Sequence, residues 1–481
     1  FKTNPMAHQR SAIDKLVRLK VGALLMDMGT GKTRTALELA VKRINAGRVD
    51  CILWICPVSV KRTIADEVEK HVNGMSYEMV QPRRIQGRAS HMYIAGTESL
   101  SSSAALNNRL LELSEQRRCF LVCDESSLIK NHRANRSLAI WRLAERCQYK
   151  LMLNGTPISN NEKDLFSQWY FLDPRILGYT SFYSFAANHL EYDPKIRGRI
   201  VRAHNIGLLT RKIAPYLYQV RKSECLSLPT KTYTARYCSM TQDQRRAYDN
   251  AKETLFDACC DSGDWEYAWI YQLFNACQKV VSGLTLQGKQ LFQNPYSNPR
   301  IQTLLKAIEE LPEDAKTIIW CKYHHEIRTV CDVLRAEYGE GNIAELWGGL
   351  SIKQREQELG RFREEARFLI ANKACGAFGL NLQHCHYAIY YDNDFSWATR
   401  AQSEDRIHRS GQTENVHIID LVCQGSIDER IQMSLRQKEG LIDAFRKEIH
   451  KEKDKTELSE WIDGVKIKRE RRRDNDKSRA G

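Results

Sequence analysis

Along the first third of the chain, apolar positions gather in short unbroken runs separated by longer mixed stretches. Val21-Gly-Ala-Leu-Leu-Met26, Cys51-Ile-Leu-Trp-Ile-Cys56, Met92-Tyr-Ile-Ala95, Cys119-Phe-Leu-Val-Cys123 and Tyr149-Lys-Leu-Met-Leu153 read as strands. Unbroken runs with helical patterns between them, such as 32–46, predict a parallel sheet covered on both faces. A second series follows at 317–321, 343–347, 367–371, 387–392 and 416–422, so the pattern predicts two α/β lobes. Between the series the pattern changes. Residues 161–222 are aromatic-rich and helical, without strand alternation, and Leu228-Pro-Thr-Lys231 breaks the run. A strand-like 232–238 comes next, then helical patterns to about residue 281 and the punctuated loop Asn294-Pro-Tyr-Ser-Asn-Pro-Arg300. The expected organisation is a first lobe over 1–226 with a helical insertion at 161–222, then a second over 227–435 with an insertion at 241–290. Residues 436–481 are expected to form a helical brace and a basic, frayed tail.

Composition narrows the class. A chain of 481 residues with 42% hydrophobic and 27% charged content has the make-up of an ordinary soluble protein of two to three domains. No apolar window reaches the roughly eighteen residues of a membrane span, and no signal-peptide layout opens the chain. An intracellular, cytoplasmic location is therefore expected, with a nuclear one left open. The fifteen cysteines are scattered without a Cys-x-x-Cys pair, so they read as small buried apolar residues rather than as zinc ligands or disulfides. His384-Cys385-His386 reads as packing for the same reason. A net charge of +14 favours a polyanionic partner. The segment 466–479, with eight Lys/Arg against three acids, carries only part of that excess. It reads equally as a DNA-binding tail, a nuclear address or a solubilising terminus.

The chemistry is concentrated at strand ends. Gly29-Thr30-Gly31-Lys32-Thr33 lies between a strand and a helix, the setting in which backbone N–H groups and a helix N-terminus cradle phosphates. Lys32 would reach the β/γ-phosphates of ATP and the Thr33 hydroxyl would hold Mg²⁺. The strict pattern has glycine six residues before the lysine; here that place is Met26. Leu121-Val-Cys-Asp124-Glu125 is an apolar strand ending in paired acids, which supplies a metal-side carboxylate (Asp124) and a group to position and deprotonate the attacking water (Glu125). Gly155-Thr156-Pro157 is a rigid turn after the next strand. Gln402-Ser-Glu-Asp-Arg406-Ile-His-Arg409-Ser-Gly-Gln412 sets two arginines three residues apart, far downstream of the phosphate loop. Such a pair either completes a nucleotide site or forms surface salt bridges with Glu404 and Asp405.

Taken together, the set resembles the Swi/Snf-type ATPases, a branch of superfamily-two helicases and translocases, over about residues 5–435. His8-Gln9-Arg10 resembles the adenine-side glutamine motif and Asp27–Thr33 motif I. Cys56-Pro-Val-Ser59 is similar to motif Ia, Gly96-Thr97-Glu98 to Ib, Asp124–Asn131 to II and Asn154–Asn161 to III. Val220-Arg-Lys222 and Leu228–Lys231 resemble the passage between lobes, Gly376–Leu382 motif V, and Gln402–Gln412 motif VI. The resemblance implies two RecA-like lobes with parallel β-sheets flanked by helices and ATP between them. It also implies Gln9 and Gly379 as nucleotide contacts beside Gly29, Thr30, Gly31, Lys32 and Thr33, and Arg406 and Arg409 as arginine fingers. Ser59, Lys61, Thr97 and Lys373 fall where the family touches DNA phosphates. The implied activity is ATP-driven translocation on double-stranded DNA by a compact prokaryotic or phage monomer. A strand-separating or fork-remodelling helicase and a low-turnover DNA-binding scaffold are the alternatives. Three places depart from the pattern: Ser127 stands at the usual histidine of motif II, Asn154 replaces the commoner threonine, and Phe395-Ser-Trp397 replaces Trp-Asn-Pro.

Overall fold

Among the described residues, nine strands form in the first part of the chain: β1 Val21–Met26, β2 Cys51–Cys56, β3 Tyr77–Met79, β4 Met92–Gly96, β5 Cys119–Cys123, β6 Tyr149–Asn154, β7 Leu190–Tyr192, β8 Ile200–Ala203 and β9 Leu217–Val220. Seven of them make one parallel sheet in the order β3-β4-β2-β5-β6-β1-β9, and β7 and β8 pair antiparallel as a separate ribbon. This is a computed structural model, which describes residues 1–81, 90–155, 162–192, 194, 200–261, 267–373, 380, 382–438, 440–449 and 455–464. The chain divides into two compact units, Phe1–Ser227 and Leu228–Gly481.

In the first unit, successive strand residues point to opposite faces and feed two cores. Leu53, Ile55, Leu121 and Met152 enter one, against the helices Ala104–Gln116 and Asn135–Arg146. Leu24, Met26, Ile52, Trp54 and Val122 enter the other, against Lys32–Asn45 and Lys61–His71. Burial on both faces is why these strands read as unbroken apolar runs. The sequence reading is corrected at 161–222, which carries the β7–β8 ribbon and β9 among its helices. These strands are three or four residues long and partly exposed, too short to show a period.

The second unit repeats the plan. Its strands are β10 Lys231–Cys238, β11 Thr317–Cys321, β12 Ile343–Leu346, β13 Phe368–Asn372, β14 Tyr387–Tyr390 and β15 Val416–Cys423. They form an all-parallel sheet ordered β10-β15-β14-β11-β13-β12. Ile319, Ile370 and Ile389 face one core, and Trp320, Leu369 and Ala388 the other. A third core joins the helices Gln242–Asp261 and Tyr267–Val281 to the C-terminal helices Leu441–Ile449 and Lys455–Ile462, through Tyr248, Phe274, Phe395, Trp461 and Ile462. The C-terminal helices thus pack against Gln242–Asp261 and Tyr267–Val281. Phe395 is buried there and Trp397 packs against the same core.

Candidate functional site

In a parallel sheet all strand C-termini lie along one edge, where ligands bind in open α/β folds. In the first unit that edge brings together the residues that follow β4, β2, β5, β6 and β1. After β1 the chain turns through Gly29 (φ +79°) and Gly31 (φ +83°), left-handed conformations that L side chains resist, and enters the helix Lys32–Asn45. A Cβ on Gly31 would stand 2.1 Å from the Gln9 amide nitrogen. That amide donates to the Thr30 carbonyl at 3.0 Å, and His8 Nε2 donates to the same oxygen at 2.8 Å, so His8 carries its proton on Nε2. Gln9 is therefore directed at the phosphate loop itself. The Lys32 ammonium curls back over the loop onto the Met26 and Asp27 carbonyls, at 2.7 and 3.2 Å. A Cβ on Gly155, at the end of β6, would come within 3.5 Å of it. Thr33 is half-buried in the first turn of the helix.

Asp124 follows β5, held by its N–H to the Ile55 carbonyl at 2.8 Å. Burial, and next the charge of Glu125, push its carboxyl up to about 6, against the opposing pull of Lys32. Glu125 is one of three described non-glycine residues with positive φ, at +52°. Strain of this kind costs on the order of 1 kcal/mol and collects at functional positions. The Glu125 carboxylate accepts the Ser127 hydroxyl at 2.9 Å, and its N–H donates to Asp124 at 2.9 Å. The fully buried Ser126 donates to Gln168 Oε1 at 2.8 Å, which fastens this turn to the helix Lys163–Leu172. Two neighbouring acids, one of them desolvated, repel each other and favour a cation between them. A carboxylate such as Asp124 is the oxygen donor that Mg²⁺, a hard ion taking few protein oxygens, accepts.

The residues assigned to phosphate contacts divide. Ser59 is exposed in the turn Val58–Val60. Lys61 is half-buried and donates to the Val80 carbonyl at 2.6 Å. Thr97 is buried at the start of the helix Thr97–Ser102. The neighbouring Glu98 carboxylate accepts the Val58 N–H at 2.9 Å, which joins the two segments. Lys373 is placed differently from the other three. It is 2% exposed, with its ammonium on the Asp392 carbonyl and 3.2 Å from the Asp392 carboxylate. Burial holds that carboxyl well above the usual carboxylate range. Withdrawing Lys373 to meet a phosphate would strand Asp392 in the core.

In the second unit the helix Trp397–Glu404 ends before the arginines, which lie in the turns that follow. The turn is folded onto Leu380, Leu382 and Cys385. Leu382 N–H donates to the Arg406 carbonyl at 3.1 Å, Arg409 Nη1 to the Leu380 carbonyl at 3.2 Å, and the Gln412 amide to the Cys385 carbonyl at 3.1 Å. Arg406 is 9% exposed. Glu404 is committed elsewhere: Oε1 accepts Arg400 at 2.8 Å, and Oε2 accepts Lys231 at 2.7 Å and the Tyr233 hydroxyl at 2.8 Å. The arginines thus lie beyond the helix, and Glu404 is engaged by Arg400, Lys231 and Tyr233. Gly379, Thr156, Pro157 and the basic tail lie outside the described residues. Cys385 is fully buried and His384 lies against Phe362, as packing residues do.

Two family models match the chain: the SNF2-related domain over residues 8–297 and the helicase conserved C-terminal domain over 299–411. A putative ATP-dependent helicase/translocase of Bacillus subtilis, YwqA, is 26% identical over 95% of this chain and 50% of its own length. The DNA repair and recombination protein RAD54B of Gallus gallus is 24% identical over 89% of this chain and 53% of its own. The chain spans about half the length of these curated relatives. Among solved structures, the Sulfolobus solfataricus SWI2/SNF2 ATPase core in complex with dsDNA aligns over 97% of this chain and 96% of that one, at 25% identity and a TM-score of 0.43.

Proposed function

The chain belongs to the SNF2-related family, and on that premise we propose that it is an ATP-hydrolysing motor that translocates along double-stranded DNA. The observation that carries the reading is the placement of Lys32, the half-buried Asp124 and the strained Glu125 along one sheet edge. Lys32 would leave the loop carbonyls for the β/γ-phosphates, and Gly29–Gly31 would offer backbone N–H groups. Thr33 and Asp124 would hold Mg²⁺, which when bound neutralises charge on the phosphates. Glu125, steadied by Ser127, orients the attacking water and takes its proton. Arg406 and Arg409 stabilise the charge that develops on the transferred phosphoryl. DNA is engaged through its phosphates, in keeping with the basic surplus and with a motor that must ignore sequence.

The deciding experiment sets displacement of a triplex-forming strand beside unwinding of a forked duplex, both driven by ATP. Displacement without unwinding is expected. Efficient fork unwinding would make the protein a strand-separating helicase instead, and ATP turnover that survives Glu125→Gln would end the motor reading.

A further inference from the structure

The segment from Val220 to Lys231 is held at both ends by residues next to the proposed chemistry. At its start, Val220 pairs with Met26 at the end of β1, and the Val220 carbonyl accepts the Asp27 N–H at 3.3 Å. The Asp27 carboxylate accepts the Lys222 N–H at 2.8 Å. Asp27 is also the hub of the phosphate loop: its carbonyl accepts the Thr30 N–H at 3.3 Å, the Thr30 hydroxyl at 2.7 Å and the Lys32 ammonium at 3.2 Å. A displacement of Lys222 is therefore a displacement of the residue that positions Lys32.

At its other end the segment grips the arginine turn. The Pro229 carbonyl accepts His408 Nε2–H at 2.8 Å, one residue before Arg409. Lys231 and Tyr233 both donate to Glu404, whose own carbonyl accepts the N–H groups of Ile407 and His408 at 3.2 and 2.9 Å. From the far side Arg400 fixes Glu404 and is itself held by Asp420 at 2.5 Å. Thr230 is pinned by the Asn415 side chain at 3.1 and 2.9 Å. Only residues 223–228 separate the grip at Lys222 from that at Pro229, and the helical turn Lys222–Cys225 takes up half of them. Arg221 N–H donates to the Glu224 carboxylate at 2.9 Å, which stiffens that turn. Six residues fully extended reach about 20 Å, and a folded turn reaches less.

We infer that Val220–Lys231 is a positioning strap that couples the phosphate loop to the arginine turn through the covalent chain, with Asp27 and Glu404 as its anchors. The inference rests on the ATPase reading above. Asp27, Lys231, Tyr233 and His408 are positioning residues: they act on Lys32, Arg406 and Arg409 by holding the backbone that presents them. A short, doubly anchored strap transmits a shift at one end to the other, whereas a slack one absorbs it.

The test slackens the strap without touching either anchor, by inserting Gly-Ser-Gly-Ser between Ser227 and Leu228 in the full chain. A fluorescent ATP analogue should bind within about twofold of wild type, and melting should be unchanged. DNA-stimulated kcat should fall roughly ten- to hundredfold, the scale of an ångström-level misplacement. In the inserted background Lys231→Met should add little, while in the native strap it should lower kcat with KM for ATP unchanged and Lys231→Arg should restore most of the loss. Unchanged kcat after insertion, or losses from insertion and Lys231→Met that simply add, would overturn the strap. If the insertion fails to fold, the Lys231 pair decides, with a rise in KM counting against it. Turnover that persists in Glu125→Gln with the native strap would instead condemn the ATPase reading, a separate failure.

Discussion

Glu125 sits in left-handed backbone with its carboxylate held by Ser127, so side chain and main chain are set before any substrate arrives. Replacing it by glutamine keeps the shape and removes the carboxylate proposed as the base. Glu125→Gln should lower kcat by about two to three orders of magnitude while ATP binding in a filter or fluorescence titration changes only severalfold. A second residue-scale expectation concerns Lys322, whose ammonium lies 3.3 Å from the centre of the Phe395 ring and donates to Gln278 at 2.8 Å. Burial pulls its pKa down to about 8. Unfolding therefore takes up a proton between pH 8 and the free-lysine value. The resulting penalty on the folded state is complete below pH 8 and fades as pH rises toward about 10.5. Lys322→Met should stabilise the protein by roughly 1–3 kcal/mol in urea titrations at pH 7, with the gain vanishing near pH 10.5. Gln278 still accepts the Tyr323 hydroxyl at 3.1 Å in the variant, so no buried acceptor is orphaned. Equal gains at both pH values would refute this account.

Between elements, buried ion pairs do the fastening. Arg300, in the helix Pro299–Glu309, pairs with Asp428 in the first turn of the helix Ile427–Arg436, and Asp428 also accepts the Cys423 N–H at 3.0 Å. Arg300→Met leaves a buried carboxylate unpaired and should cost about 3–5 kcal/mol, read from the urea midpoint. Adding Asp428→Asn removes the charge, keeps an acceptor for Cys423 and should recover part of the loss. Full-length strands such as β2, β5 and β11 are legible in the sequence because two-sided burial writes them as continuous apolar runs. The strands β3, β7, β8 and β9 leave no such trace, since three or four half-exposed residues carry no period. The site divides on similar lines. Lys32, Asp124 and Glu125 can be picked out because strand–turn–helix junctions are built from neighbouring residues. Gln168, 42 positions from Ser126, and Lys231, 173 positions from Glu404, meet their partners only through the tertiary fold. Lys373 shows the converse: a lysine after a strand reads as exposed, and only the fold shows Asp392 beside its buried ammonium.

For the molecule as a whole, the charge surplus makes the proposed DNA binding a matter of salt. If six or more phosphates are contacted, binding followed by fluorescence anisotropy should weaken by about 10³ between 50 and 200 mM salt, while ATP binding without DNA moves little. A flat response would mean that the basic surface is not where DNA goes. No described helix is long and apolar enough to cross a membrane. Cysteine placement carries a practical corollary. Of the twelve cysteines whose side chains are described, eleven are buried and Cys225 alone is half-buried, its Sγ donating to the Arg221 carbonyl at 3.3 Å. Burial raises its thiol, so alkylation calls for alkaline buffer. With Cys259, Cys260 and Cys375 replaced, a dye on Cys225 would sit between Lys222 and Pro229. Such a variant would carry an optical gauge inside the proposed strap, and a change in brightness on adding ATP and DNA would report movement there.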